Sequence, residues 1–193
     1  GTLTFSSALT ATGNGAKTLT LQGSTGSGGV FSGAIVDSTG ATSLTKTGTG
    51  TWTVTGTNTF TGSTSINGGV LSINADAALG AAPVAATPGH LVLNNGTLET
   101  TATMTLDANR GVTLTGVGTF DVNTGTTLTY GGVAAGAALT KVDAGTLVLS
   151  GTNTYTGATN VNAGVLNIQN AQGTGTAAGG VTVANGAALE LQG

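Results

Sequence analysis

The sequence predicts an all-β protein, and within that class a parallel β-helix of nine or ten coils. Three observations predict it. Bulky apolar residues alternate with threonine in many short segments, which is the period of a strand with one buried face. No segment sustains helical spacing, and the 35 glycines would weaken any helix. In addition, a thirty-residue block is written twice, which is typical of stacked structural units.

The predicted strands are short. Clusters of Gly, Asn, Asp, Ser and Thr separate them and supply the turns. The clearest alternating segments are residues 2–5, 18–21, 51–54, 103–106, 112–115 and 126–130. Fully apolar segments, such as residues 91–93, are shorter still.

The repeated block covers residues 44–73 and 139–168, and 17 of its 30 positions are identical. The copies start 95 residues apart, which corresponds to four or five coils of about twenty residues. We therefore expect both blocks to occupy matching levels of one coiled ladder, about 45 Å long at about 4.8 Å per coil. An antiparallel sandwich is the competing topology, because Asn95-Gly96 and Asn185-Gly186 are typical of hairpin turns. The repeat favours the β-helix.

One segment is expected to leave the ladder. Both prolines, Pro83 and Pro88, lie within residues 81–88, and proline cannot donate a ladder hydrogen bond. Residues 91–99 resemble residues 181–190 at an offset of 90 or 91, so the spacing changes between the two copies. We predict a loop at 81–88 that bulges from one coil, and otherwise a single domain over residues 1–193.

Composition excludes several classes of function. Only 6% of the residues are charged, and the four Lys and Arg residues are scattered in a chain of net charge −3, which argues against a nucleic-acid partner. Without Cys, no disulfide or thiolate site can form. No run approaches the about 20 apolar residues of a membrane-spanning helix. The chain starts at Gly1 and shows no signal peptide, so we expect a fragment of a longer or processed protein.

Both copies of the block contain Gly-Thr-Asn-Thr-Phe/Tyr-Thr-Gly, followed by Asn-x-Gly-x-Leu-x-Ile. The positions that we single out are Asn58, Phe60, Gly62 and Asn67 in the first copy, and Asn153, Tyr155, Gly157 and Asn162 in the second. This motif resembles the autotransporter-associated β-strand repeat, also called the passenger-associated transport repeat, of type V secreted passenger proteins. The resemblance implies a right-handed parallel β-helix at the Gram-negative cell surface or released from it. It also implies that the repeat aids folding and secretion, and that a translocator domain absent from this sequence provides any membrane attachment.

Each residue type in the motif suits a coil of a β-helix. The flanking glycines would permit positive φ at the corners. Asn58 and Asn153 can hydrogen-bond the turn backbone, and Phe60 and Tyr155 can bury their rings against a neighbouring coil. Asn67 and Asn162 precede glycine-rich corners, so we expect them to join asparagine ladders along the stack.

The ionisable residues do not predict an active site. Hydrolases built on β-helices need clustered carboxylates, often with Arg, Lys or calcium, whereas the seven acidic residues here are well separated in sequence. Asp107, Arg110 and Asp121 could meet across coils, and we interpret them as a salt-bridged surface patch. His90, the sole histidine, is expected in a loop. We predict no catalytic, cofactor-binding or metal-ligating residue.

The sequence therefore favours a structural, non-catalytic and extracellular role, as a stalk or adhesin scaffold of a passenger. The alternative is a filament subunit that stacks end to end, because strand-like segments lie near both termini without a cap. The partners that fit these roles are further copies of the chain and a host or surface glycan or protein. A glycan-binding or polysaccharide-degrading β-helix is the remaining interpretation.

Overall fold

The alternating segments form short strands that are joined by sharp corners. A computed structural model describes residues 2–192, which contain twenty strands and one 3₁₀ turn at Asp76–Leu79. In chain order the strands are β1 (Leu3–Phe5), β2 (Leu9–Thr10), β3 (Lys17–Gln22), β4 (Gly28–Phe31), β5 (Ile35–Val36), β6 (Thr42–Thr47), β7 (Thr51–Val54), β8 (Thr64–Ile66), β9 (Val70–Ile73), β10 (Thr87–Leu93), β11 (Thr97–Thr100), β12 (Met104–Leu106), β13 (Arg110–Val122), β14 (Thr127–Tyr130), β15 (Ala134–Val142), β16 (Thr146–Leu149), β17 (Thr159–Val161), β18 (Val165–Ile168), β19 (Val181–Val183) and β20 (Ala188–Leu191).

The strands lie on three faces around a central core, and the pairings between them are parallel. Face 1 holds β1, β4, β7, β9, β11, the second halves of β13 and β15, β17 and β19. Face 2 holds β2, β5, the 3₁₀ turn, β12, β14, β16, β18 and β20. Face 3 holds β3, β6, β8, β10 and the first halves of β13 and β15.

Each coil is counted from its strand on face 1, so that coil 1 begins at β1 and the last coil at β19. This gives about nine coils, which confirms the predicted all-β class and the parallel β-helix. Parallel pairing between strands about one coil apart also excludes the antiparallel sandwich.

Period-two alternation fills the core. In β6, Thr42, Leu44 and Lys46 point inward and are buried, while the residues between them are partly exposed. On face 1, Leu71, Leu98 and Phe120 follow one another in register on successive coils, and each is completely buried. Apolar columns of this kind bury each side chain against the coils above and below, at about 1.5–3 kcal/mol per large side chain.

The two repeat blocks stand on one ladder, but the prediction that they occupy matching levels is wrong. The pairing from Lys46 on face 3 leads to Ile66, Leu93, Leu114 and then Gly136, and never to Lys141. Lys141 instead pairs with Phe120 on face 1. The 90 residues from Lys46 to Gly136 make four coils, and the next five residues carry the chain onto the neighbouring face. The second copy is therefore rotated by one face relative to the first.

Coil 4 contains the predicted loop. The chain leaves the ladder after the 3₁₀ turn and returns to it in β10, which begins at Thr87. We call residues 80–86 the coil-4 loop; within it, Val84 is fully exposed. The prediction was wrong for Pro88, which lies within β10. The pairing of β10 with β13 shifts register between Thr87 and Leu91, so the ladder makes no regular pair at the proline.

Candidate functional site

Asn58 and Asn153 each connect three successive coils. The Asn58 Oδ1 accepts the Ile35 N–H at 2.7 Å, and its Nδ2 donates to the Ala78 carbonyl at 2.7 Å. Asn153 repeats this pattern with the Ala134 N–H and the Gly173 carbonyl, both at 2.8 Å. Both side chains are almost fully buried. The chain around each asparagine has no regular strand, so these side chains satisfy backbone groups that would otherwise be buried without a partner.

Two residues after each asparagine, an aromatic ring fills the core. Phe60 and Tyr155 are completely buried, and each ring lies against a glycine of the next coil, Gly80 or Gly175. A Cβ on Gly80 would lie 2.6 Å from the Phe60 ring, and a Cβ on Gly175 would lie 2.7 Å from the Tyr155 ring. The Tyr155 hydroxyl, which has no counterpart on Phe60, hydrogen-bonds the Thr159 hydroxyl at 2.6 Å.

The glycines that flank the motif have a different role from the one expected. Gly62 and Gly157 do not have positive φ, so the prediction that they supply left-handed corners is wrong. A Cβ on Gly62 would overlap the Thr42 carbonyl oxygen, and one on Gly157 would lie 2.8 Å from the Ala137 carbonyl. Glycine is required here because the neighbouring coil passes too close for any side chain.

Asn67 and Asn162 are exposed, and the described residues show no side-chain hydrogen bond from either. Their backbone N–H groups donate to the carbonyls of Lys46 and Lys141, at 2.8 and 2.9 Å. The predicted asparagine ladder is therefore wrong. The neighbour of Asn67 on the next coil is Asn94, because Ile66 pairs with Leu93, but among the described residues no side-chain hydrogen bond joins the two.

Sequence reasoning missed the two lysines of the repeat, Lys46 and Lys141, which are completely buried. The Lys46 ammonium group donates to the carbonyls of Thr47, Gly48 and Gly68, at 2.9–3.2 Å. Lys141 donates to Val142 and Asp143 at 2.7 and 2.6 Å and to Ala163 on the next coil at 3.4 Å. Each lysine thus ties a corner to the corner above it. The sequence did carry a signal, since Leu44 and Lys46 are two apart and must share a face of the strand.

Burial favours the neutral form of these two lysines. Removal from water lowers the pKa of Lys46, and it lowers the pKa of Lys141 to about 8, against the opposing charges of Asp143 and Asp121. The acceptors at both lysines are backbone carbonyls. The arrangement therefore holds a corner together and presents no reactive amine to solvent.

The predicted patch of Asp107, Arg110 and Asp121 does not form. Arg110 is buried and pairs at 2.8 Å with Asp76, which lies in the 3₁₀ turn of the preceding coil. Asp107 accepts the Asn109 N–H at 2.8 Å. Asp121 lies on face 1 in register with Glu99, where burial and the neighbouring Glu99 charge raise its pKa.

His90 is also misplaced by the sequence prediction. It lies in β10, is only 6% exposed, and places its Nδ1 3.4 Å from Nη1 of Arg110. The three residues Asp76, His90 and Arg110 form the cluster of charged and titratable groups inside coils 4 and 5, which we call the coil-4 cluster. They are 14 to 34 positions apart in the sequence. They become neighbours because coil 5 stacks on coil 4.

Within residues 2–192 there is no group of three or more His, Asp or Glu side chains that could hold a metal ion. The same part of the chain has no helix of the length and hydrophobicity needed to cross a membrane.

The fold and its buried polar contacts define a parallel β-solenoid whose repeated sequence block bridges successive coils. Residues 44–73 and 139–168 both match the family model described as passenger-associated-transport-repeat. The chain therefore carries two passenger-associated-transport repeats, as the motif predicted. Over 154 residues, 79% of this chain, it is 38% identical to the adhesin BmaC autotransporter of Brucella suis biovar 1 (strain 1330). The aligned part spans 4% of the length of that protein. None of the solved structures matches the chain.

The asparagine bridges predict a difference between two asparagines of the same repeat. Asn58→Ala leaves the buried Ile35 N–H and Ala78 carbonyl without partners, and each such group costs about 1–3 kcal/mol. We expect the free energy of unfolding to fall by about 2–5 kcal/mol in denaturant titrations. The matched control Asn67→Ala, at an exposed side chain, should change it by less than about 0.5 kcal/mol. Equal effects of the two substitutions would contradict the bridging role.

The buried amine of Lys141 predicts a pH dependence. Its pKa in the folded chain, about 8, lies below its ordinary value of 10.5, so the unfolded chain binds more protons between these values. Stability should therefore rise as the pH increases from about 8 to about 9.5, a range that ends below tyrosine ionisation. Lys141→Met removes the amine, and its free energy of unfolding should rise less over this range than that of the wild type. Identical pH slopes in the two proteins would show that Lys141 is not the group responsible.

Proposed function

We propose that this chain is a structural, non-catalytic segment of an autotransporter-type passenger, which serves as a surface stalk and adhesin scaffold and aids folding and secretion of the passenger. The observation that carries this proposal is the bridging of three coils by Asn58 and again by Asn153. A coil that has just formed is thereby fixed to the coils before and after it. Nearest-neighbour stability of this kind allows folding to propagate along the chain.

The distribution of ionisable groups supports a role without catalysis. Asp76 is engaged by Arg110 inside the core, and Asp37 accepts hydrogen bonds from the backbone of Thr42 and Thr61. Glu99 and Asp121 adjoin each other on face 1, but no described histidine or arginine hydrogen-bonds either of them. Acid–base catalysis needs an acid and a base that converge on one substrate atom. Asp76 and Asp37 serve the scaffold instead.

We place the segment outside the cell or at the surface of a Gram-negative bacterium, a location that the repeat and the similarity to an autotransporter adhesin support. For adhesion, we favour a host or surface glycan or protein as the ligand. A groove of about 520 Å³ beside faces 1 and 3 is lined with hydroxyl groups, among them Thr25, Ser27, Thr49 and Thr51. Hydroxyl groups both donate and accept hydrogen bonds, which suits a polar ligand of this kind.

The alternative function is a filament subunit that stacks end to end. The strands of the outermost coils support it, because Leu3, Phe5 and Leu191 are 54%, 44% and 75% exposed. Unpaired strand edges with apolar side chains favour pairing with a further copy. Electron microscopy of the purified chain separates the two roles: short single rods support the scaffold, and long fibres support the filament.

Surface display tests the scaffold proposal. We expect the chain, placed between a signal peptide and a translocator barrel in a Gram-negative host, to reach the surface in a protease-resistant form. The double variant Asn58→Ala/Asn153→Ala should show less protease-resistant chain at the surface, because the coils are no longer bridged. Surface labelling of intact cells with and without added protease measures both quantities.

The matched control is Asn67→Ala/Asn162→Ala, which alters the exposed asparagines of the same repeats and should match the wild type. If the bridging variant is displayed as well as the control, the proposed role of the repeat in folding and secretion is wrong. Added purified chain that blocks attachment of the displaying cells to host cells would assign adhesion to this segment. Attachment that is insensitive to the added chain would limit it to a stalk.

A further inference from the structure

The coil-4 loop is fastened to coil 5 at both of its ends. At its start, Arg110 donates through Nη1 to the Leu79 carbonyl at 3.2 Å and through Nη2 to the Gly80 carbonyl at 2.5 Å. Further along, the Asn109 side chain donates to the Pro83 carbonyl at 2.9 Å, and the Asn109 carbonyl accepts the Thr87 N–H at 2.8 Å. The position of the loop therefore depends on two adjacent residues of coil 5.

Arg110 is held in place by the other members of the coil-4 cluster. Its Nε and Nη2 donate to the two carboxylate oxygens of Asp76, at 2.8 and 3.0 Å. Its Nη1 lies 3.4 Å from the Nδ1 of His90. A guanidinium group has donors only, so the Nδ1 of His90 must be the acceptor. This contact requires a neutral imidazole whose proton is on Nε2.

Protonation of His90 is incompatible with this arrangement. It would place an N–H on Nδ1, directed at an N–H of Arg110, and would bury two cations beside the single carboxylate of Asp76. The Thr61 backbone of coil 3 also faces His90 and favours its protonated form, and Asp37 of coil 2 in turn accepts the Thr61 hydroxyl at 2.6 Å.

On balance, the surroundings of His90 lower its pKa. Burial and the Arg110 charge lower the pKa of His90, while the Thr61 backbone and Asp76 act in the opposite sense. With the folded value below the ordinary value of 6.5, the closed cluster binds fewer protons than an opened one. Closure is therefore fully stable above about pH 6.5 and weakens as the pH falls below it.

We propose that the His90–Arg110 contact is an acid-sensitive catch, which holds the coil-4 loop against coil 5 while His90 is neutral and releases the loop when His90 is protonated. The loop forms one wall of an apolar groove of about 530 Å³, which Ala86 and Pro88 line together with Val112 and Val133 of coils 5 and 6. Release of the loop opens this groove. The passenger segment thus contains one region that responds to acid on an otherwise uniform ladder.

Hydrogen exchange of the whole chain tests the catch. Peptides covering residues 80–90 should be protected at pH 7.5 and should lose protection at pH 5.0, after correction for the intrinsic exchange rate at each pH. Peptides covering residues 139–149 should keep their protection at both pH values, because that coil contains no histidine. His90→Gln keeps an acceptor for Arg110 but does not titrate, so its loop should remain protected at pH 5.0.

The sequence makes this experiment selective, because His90 is the only histidine. Three outcomes would overturn the catch: a wild-type loop that stays protected at pH 5.0, a His90→Gln loop that opens as the wild type does, or loss of protection over the whole chain. The second outcome would assign the response to a group other than His90. If His90→Gln fails to fold, the single imidazole resonance in the NMR spectrum of the wild type decides the matter. Its titration midpoint must lie below 6.5 and coincide with loop opening, and a midpoint that does not track opening rejects the proposal.

Discussion

The stacking of coils depends on one constraint: each coil must satisfy the backbone hydrogen bonds of two neighbours at a fixed spacing of about 4.8 Å. Strands meet this requirement by themselves, but corners do not, and a buried peptide group without a partner is destabilising. Asn58 and Asn153 supply the missing partners where regular strand is absent, and Lys46 and Lys141 supply them at the corners. The repeat thus supplies hydrogen-bond partners for the parts of a coil that cannot form a ladder.

The same constraint explains why buried polar groups are retained in so apolar an interior. Burying an ammonium group is unfavourable, as the lowered pKa of Lys141 shows, and only its carbonyl acceptors offset the loss of water. Those acceptors come from two successive corners, so a shift in the register of the coils would move the Ala163 carbonyl relative to the lysine. An apolar residue of the same size would tolerate slippage. The polar contacts therefore contribute to the choice of register as well as to stability.

Much of this architecture could be predicted from the sequence, because alternation and repetition are local signals. The alternation of apolar and polar residues every second position predicted the all-β class. The same alternation, counted from Leu44, would also have predicted that Lys46 is buried. The features that could not be predicted depend on how many residues each coil contains. The rotation of the second repeat follows from the summed lengths of four coils, and the contact of His90 with Arg110 follows from the extra length of coil 4. The role of Gly62 was predicted wrongly because the residues next to it in the sequence do not show how closely the preceding coil approaches it.

The rotation of the repeat by one face bears on what its shared residues do. Inward positions keep their chemistry between the copies, as Leu71 and Leu166 or Asn58 and Asn153 show, although they stand on different faces. Several outward positions change, as from Thr53 to Val148 and from Ser65 to Asn160. A binding surface built from both copies would need their outward residues aligned on one face, and they are not. The residues that the two copies share therefore encode the fit between layers, whereas the proposed hydroxyl-lined groove uses Thr49 and Thr51 of the first copy alone.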